Sequence, residues 1–129
     1  MTAKQGTQAQ GQRGEDLAAD FLKGQGYRIC ERNFRGRCGE IDIIAKKGRT
    51  LCFIEVKLRS TDAYGTGFEA VVPGKQRKLS RAALEYLTAR GLMPQESRFD
   101  VIEIFPSLAG ESQRINHLAD AFAFRGSAP

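Results

Sequence analysis

The chain has 129 residues, 41% hydrophobic and 27% charged, with twenty Lys and Arg against fifteen Asp and Glu for a formal charge of +5. That is the size of one ordinary domain, long enough to bury a core without disulfides or a structural metal. It has no apolar run near the roughly 20 residues of a membrane-spanning helix and no apolar block in Met1–Gly14 that would make a signal peptide, so the expected setting is cytoplasmic, with no membrane partner.

Residues 1–11, rich in Gln, Gly and Thr, read as a flexible polar tail. A single domain is expected over 12–125, with a short second tail at 126–129. From Gln12 to Gln25, Leu17, Ala18, Phe21 and Leu22 recur at helical spacing, and Gly24 and Gly26 can close the helix. Tyr27 to Phe34 is a weaker strand candidate, after which Gly36-Arg37-Cys38-Gly39 turns the chain. Glu40–Ala45 and Leu51–Leu58 are β-rich runs separated by Lys46-Lys47-Gly48-Arg49, which predicts a hairpin. Arg59 to Gly67 reads as a polar loop. Pro73 suits the first position of a helix reaching about Ala89, with Gly91 past its end and Leu79, Ala83, Tyr86 and Leu87 as its core face. Phe99–Phe105 is a further strand, stopped by Pro106. Ile115, Leu118, Ala121 and Phe122 then suggest a short helix over Ile115–Phe124. The predicted fold is α/β, a mixed central sheet flanked by helices, in the order αβββαβ.

Three cysteines without a C-x-x-C pair argue against a disulfide framework or a zinc site, and Cys52 in its apolar strand reads as a small buried hydrophobe. The one histidine, His117, sits away from the other candidates and reads as an isolated structural or surface residue. Glu40 and Asp100 default to structural or solvent roles.

Chemistry concentrates on the hairpin. Residues two apart on a strand share a face, so Glu55 and Lys57 project together with Leu51 and Phe53. With a four-residue loop, Asp42 falls opposite Phe53 and diagonal to Glu55 on that face, a spacing at which two carboxylates can share a cation. A loop longer by one residue would turn Asp42 away. Glu15 stands at i, i+3, i+7 with Ala18 and Leu22, and Gln76 bears the same relation to Leu79 and Ala83, so both helices point a polar residue toward the sheet. Carboxylates of this kind select Mg²⁺ or Mn²⁺, which contact substrate phosphates, and a lysine beside them suits phosphodiester hydrolysis. Taken singly, each residue has an ordinary structural reading; the combination is what points to a site.

Gly39-Glu-Ile-Asp-Ile-Ile-Ala45 followed by Phe53-Ile-Glu-Val-Lys57 resembles the core of the PD-(D/E)XK nuclease superfamily. Gly14-Glu15-x-x-Ala18, Gly26-Tyr27, Arg32-Asn33, Glu69-Ala70-Val71, Lys75-Gln76 and Arg98-Phe99-Asp100-Val101 narrow the resemblance to the YraN-like bacterial family, relatives of the archaeal Holliday-junction resolvases, over about Gly11 to Phe122. Ile41 stands where the superfamily's name has proline. The resemblance implies a restriction-endonuclease-like fold and a metal at one end of the sheet. It makes Asp42 and Glu55 ligands, assisted by the Val56 carbonyl and by Glu15 through water. Lys57 becomes the catalytic lysine, with Glu15 and Gln76 as accessory catalytic residues. It further implies a DNA endonuclease, acting on branched DNA as the resolvases do, and a homodimer is compatible with it. Lys75, Arg77, Lys78 and Arg81 on the second helix, with Lys46 and Lys47 on the hairpin, offer phosphate contacts to a nucleic acid, DNA before RNA. The alternative is a non-catalytic nucleic-acid-binding module that keeps the nuclease fold.

Overall fold

In the computed structural model, residues 2–59, 71–93, 95–105 and 114–124 are described, with side chains from residue 12 onward. Among the described residues seven elements follow one another: α1 (Thr2–Gly24), β1 (Arg28–Arg35), β2 (Glu40–Lys47), β3 (Thr50–Leu58), α2 (Pro73–Ala89), β4 (Ser97–Phe105) and β5 (Arg114–Phe122). The strands form one mixed sheet in the order β1-β2-β3-β4-β5. Only the β3–β4 pair is parallel, because the chain between those strands crosses over through α2. The αβββαββ order is consistent with a restriction-endonuclease-like core.

Each helix buries a stripe on its own face of the sheet. Ala18, Ala19 and Leu22 of α1 pack on Ile43, Ala45, Cys52, Ile54, Ile102 and Ile104. Leu79, Ala82, Ala83, Tyr86 and Leu87 of α2 pack on the other face, against Ile41, Ile44, Phe53, Phe99 and Val101. Sandwiched between the helices, β3 is buried without a break from Leu51 to Glu55. A charged residue at the end of that run is unusual, since carboxylates are rarely fully buried without a partner. Pro73 occupies the start of α2 as expected, and Gly91 follows its end at φ +62°. All three cysteines are free, and only Cys52 is buried. No helix among the described residues is long and apolar enough to cross a membrane.

Three expectations change. The helix begins at Thr2 instead of Gln12, with helical backbone over residues 2–11. Extending a helix already nucleated by a packed segment costs little, even for polar residues. The hairpin loop is two residues shorter than expected. β2 continues to Lys47, which pairs with Thr50, leaving Gly48 at φ +60° and Arg49 as the turn, a conformation glycine adopts without steric cost. Finally, Ile115–Phe124 is not a helix: Arg114–Phe122 is an edge strand antiparallel to β4. Its register slips between Phe99 and Val101, and Asp120 there takes φ +55°. Ile115 packs on the α1 side while Leu118, Ala121 and Phe122 pack on the α2 side. The bulge breaks the two-residue alternation, and apolar residues on two faces then mimic helical spacing. The loop expected from Arg59 to Gly67 lies, beyond Arg59, outside the described residues, as does the tail at 126–129.

Candidate metal and nucleic-acid site

β2 and β3 pair regularly from Lys47↔Thr50 to Ile43↔Ile54. Beyond that point a side chain continues the contact between the strands: Asp42 Oδ2 accepts the Val56 N–H at 2.8 Å. The same register carried one step further sets Asp42 opposite Glu55, not diagonal to it. The shorter loop moved the register by two residues, an even number, so Asp42 stays on the face of Glu55.

Both carboxylates open into one cavity of about 440 Å³, together with Val56 of β3, Lys75, Lys78 and Leu79 of α2, and Cys38, Gly39 and Glu40 from the start of the hairpin. Glu55 is only 7% exposed. Its Oε2 lies 3.3 Å from Lys75 Nζ and 3.7 Å from Lys57 Nζ, so one buried anion faces two cations. Asp42 has less compensation. Burial first, then the Glu55 charge and more weakly that of Glu15, push its carboxyl up to about 7, against the opposing pull of the Val56 N–H and Lys75.

Glu15 approaches from α1, on the opposite face. Its Oε1 is buried with no hydrogen-bond partner among the described residues, with Arg32 Nη2 at 3.7 Å, and Arg32 is also 2.8 Å from Asp16. Gln76 donates Nε2 to the Val71 carbonyl at 2.8 Å, while its Oε1 is buried with no hydrogen-bond partner among the described residues. Neither Glu15, Gln76 nor Lys57 is among the residues lining the cavity. Among the described residues no three His, Cys, Asp or Glu converge as a ready ligand group.

Of the predicted basic residues, Lys75 and Lys78 line the cavity, and Arg77 and Arg81 are exposed along α2. Lys46 and Lys47 are not brought to this site. Lys47 lies five residues along β2 from Asp42, about 16 Å, with its ammonium over the Tyr27 ring and bonded to the Gln25 carbonyl. Lys46 borders a separate groove with Arg28 and Arg90.

Sequence reasoning missed three features here. Lys75 is a counter-ion of Glu55 as well as a surface cation. Arg32 holds Glu15, and an arginine on β1 facing α1 gives no local signal of that. His117 is not isolated: its Nε2 is 2.8 Å from Asp100 Oδ2. Asp100 is wholly buried and also accepts Arg98 Nε at 3.0 Å and the Asp120 N–H at 2.9 Å. Burial alone would raise its carboxyl, but the His117 ring, the Asp120 N–H and the Arg98 guanidinium together hold it below the usual carboxylate range. The structural role expected for Asp100 is what its surroundings show. The Arg-x-Asp spacing was visible, but the β4–β5 register that adds His117 was not.

Two carboxylates of adjacent strands in one cavity could hold a hard divalent cation, with Cys38 the one softer donor on the same lining. Fold and site together define a mixed α/β-sheet protein with paired carboxylates at the diverging end of a hairpin, bordered by lysines. The chain belongs to the family described as uncharacterised protein family UPF0102, whose model matches residues 14–104. It is similar to a UPF0102 protein of Geobacter sulfurreducens, 52% identical over 112 residues and covering 87% of each chain. A UPF0102 protein of Pelobacter propionicus is 46% identical over 123 residues, covering 94% of this chain and 87% of its own. Another, of Symbiobacterium thermophilum, is 51% identical over 100 residues, or 78% and 85% of the two chains.

Proposed function

We propose that this protein is an Mg²⁺- or Mn²⁺-dependent endonuclease that hydrolyses phosphodiester bonds in DNA, with branched DNA as a candidate substrate. The observation that carries the reading is the pair Asp42 and Glu55. Two carboxylates share one cavity, and Asp42 is held at about 7 by burial and by its neighbour's charge, a tension that a divalent cation relieves. The αβββαββ order and the Asp42, Glu55, Lys57 set support placing the protein in the PD-(D/E)XK nuclease superfamily.

In this reading Asp42 and Glu55 hold the cation, assisted by the Val56 carbonyl, with Glu15 contributing through water and Gln76 bordering from α2. When bound, the cation supplies Lewis-acid polarisation of the phosphoryl oxygen and a more acidic water. The Val56 N–H fixes one Asp42 oxygen and leaves the other for coordination. Lys57, beside Glu55, orients the attacking oxygen or offsets the charge that develops on the phosphoryl group. Lys75 and Lys78 at the cavity rim, and Arg77 and Arg81 further along α2, draw in the phosphate backbone. Because Lys75 also pairs with Glu55, an arriving cation competes with Lys75 for Glu55, and an arriving phosphate competes with Glu55 for Lys75.

The second reading, a non-catalytic nucleic-acid-binding module, has one observation in its favour. Glu15 sits beside Arg32, outside the set of residues lining the cavity. The test is incubation of the purified protein with linear, nicked, flapped and four-way-junction DNA, and with RNA, in Mg²⁺, Mn²⁺ and EDTA. Cleavage that requires metal and stops in EDTA is expected. Cleavage persisting at the wild-type rate in Asp42→Ala would overturn the assigned site, and tight binding without cleavage of any substrate would favour the second reading.

A further inference from the structure

A second group of cations lies at the far end of α2. In the β1–β2 register Arg28 stands directly opposite Lys46, two like charges on adjacent strands. Like charges so placed destabilise a sheet, whereas opposite charges would attract. Neither residue is in an ion pair among the described residues. Both line a groove of about 430 Å³ that also takes in Leu51, Tyr86 and Leu92, and no Asp or Glu is among the residues lining it. The third cation of the groove, Arg90, is already matched. Its guanidinium lies over the Tyr86 ring, 5.0 Å from the centroid, and its Nη2 pairs with Glu31. Arg90 is therefore a wall of the groove, and the uncompensated charge is that of Arg28 and Lys46.

This groove and the Asp42–Glu55 cavity lie at the two ends of one seam. There β1 and α2 run in opposite directions: Glu31 meets Arg90, the Phe34 ring meets Tyr86 at 5.3 Å, and the Arg37 N–H donates to Glu85 Oε1 at 2.9 Å. A shallow groove over the seam carries Arg37 and Arg81 and shares Cys38 with the metal cavity. At its other end Thr88 and Ala89 adjoin Arg90. From Asp42 to Lys46 is four residues of β2, about 14 Å. That is the span of about four nucleotides of one strand, at roughly 3.4 Å each. It exceeds the Debye length of about 10 Å at 0.1 M salt, so the two places act on separate phosphates.

We propose that Arg28 and Lys46 form a second phosphate-binding place for a nucleic-acid backbone, reached from the metal cavity along the α2–β1 seam. The proposal rests on the nuclease reading above and extends it: the substrate reaches about four nucleotides to one side of the phosphate at Asp42 and Glu55. A phosphate seated between the two cations replaces their mutual repulsion with two attractions. Because a backbone phosphate carries no sequence information, the place adds affinity for any sequence.

The test is fluorescence anisotropy of a labelled DNA duplex in EDTA, where the reading expects binding without cleavage, between about 50 and 200 mM salt. Arg28→Gln/Lys46→Gln should lower the slope of log Kd against log salt by about 1.8, two phosphate contacts, so that wild type loses about 12-fold more affinity than the variant over that range. Arg13→Gln/Lys23→Gln removes two exposed charges from α1, on the other face of the sheet, and should leave the slope unchanged. Arg28→Glu turns the repelling pair into an attracting one, so its Tm at low salt should rise while its affinity for the duplex falls roughly 10-fold. A residue with a structural role alone would not move those two readouts in opposite directions. Should the double variant melt early, Arg28→Glu decides alone. A native slope in Arg28→Gln/Lys46→Gln, an equal drop in the α1 control, or a Tm of Arg28→Glu that falls along with its binding would overturn the inference and leave the nuclease reading intact. An unmutated protein that binds no nucleic acid in EDTA, Mg²⁺ or Mn²⁺ would sink both.

Discussion

Asp42→Asn separates stability from function at the candidate site. In the metal-free protein the Asp42 carboxyl is raised from 3.8 to about 7, first by burial and then by the Glu55 charge. At about 1.4 kcal/mol per pH unit, that displacement is about 4 kcal/mol. The site is part-exposed, and solvent screening reduces the expected effect to about 2–3 kcal/mol. The sign follows from proton binding. Between the ordinary value and about 7 the folded protein holds a proton that the unfolded chain releases, so stability falls as pH rises through this window and levels off above it. Asparagine cannot ionise, yet its amide oxygen can still accept the Val56 N–H. The variant should therefore match wild type near pH 4 and exceed it at pH 8, by about 6–12 °C in Tm for a domain of this size. Mn²⁺ at about 1,000 times its Kd should reverse the order at pH 8, since it adds about 4.1 kcal/mol to the protein that binds it. Thermal melts of both proteins at pH 4 and 8, with EDTA and with Mn²⁺, provide the measurement. If Asp42→Asn proves less stable than wild type in EDTA at pH 8, the electrostatic reasoning at this site is wrong.

Lys57→Ala should lower kcat by about 10²–10³, the usual cost of one charge-stabilising group, while Mn²⁺ affinity by calorimetry stays within about three-fold; unchanged turnover would remove Lys57 from the chemistry. Lys75→Ala/Arg77→Ala/Lys78→Ala should weaken binding to all DNA sequences alike. Its log Kd against log salt slope should drop by about 2–3, as expected for three lost phosphate contacts. An unchanged slope by anisotropy would move the binding face away from α2. Asp100→Ala leaves the part-exposed Arg98 and His117 without their buried partner and should cost about 2–3 kcal/mol in chemical denaturation. In wild type the depressed Asp100 carboxyl contributes stability at neutral pH that disappears as pH falls below the usual carboxylate range. The same acid limb should be shallower in Asp100→Asn.

Local pattern alone placed most of the elements. The β-branched runs around Ile41–Ile44 and Ile54–Val56 marked the hairpin, Pro73 and Gly91 bracketed α2, and the spacing of Ala18 and Leu22 set the inward face of α1. These are properties of neighbouring residues, and backbone periodicity decides them before any distant contact forms. The two-residue spacing of Glu55 and Lys57 likewise put both on one face of β3 in any register. Pairing between distant segments settled the rest. The hairpin's true register, the capture of Val56 N–H by Asp42, the pairing of Lys75 with Glu55, the meeting of Glu103 with Arg59 and the Asp100–His117 contact all join residues that no local pattern relates. So does the strand character of Arg114–Phe122. Without β4 beside it, the bulge at Asp120 disguises its alternation; with β4 present, unpaired backbone groups on that edge strand find partners. Sequence supplied which groups were available for chemistry, and the sheet decided which of them share one desolvated space, because strand register is fixed by the packing of the whole core.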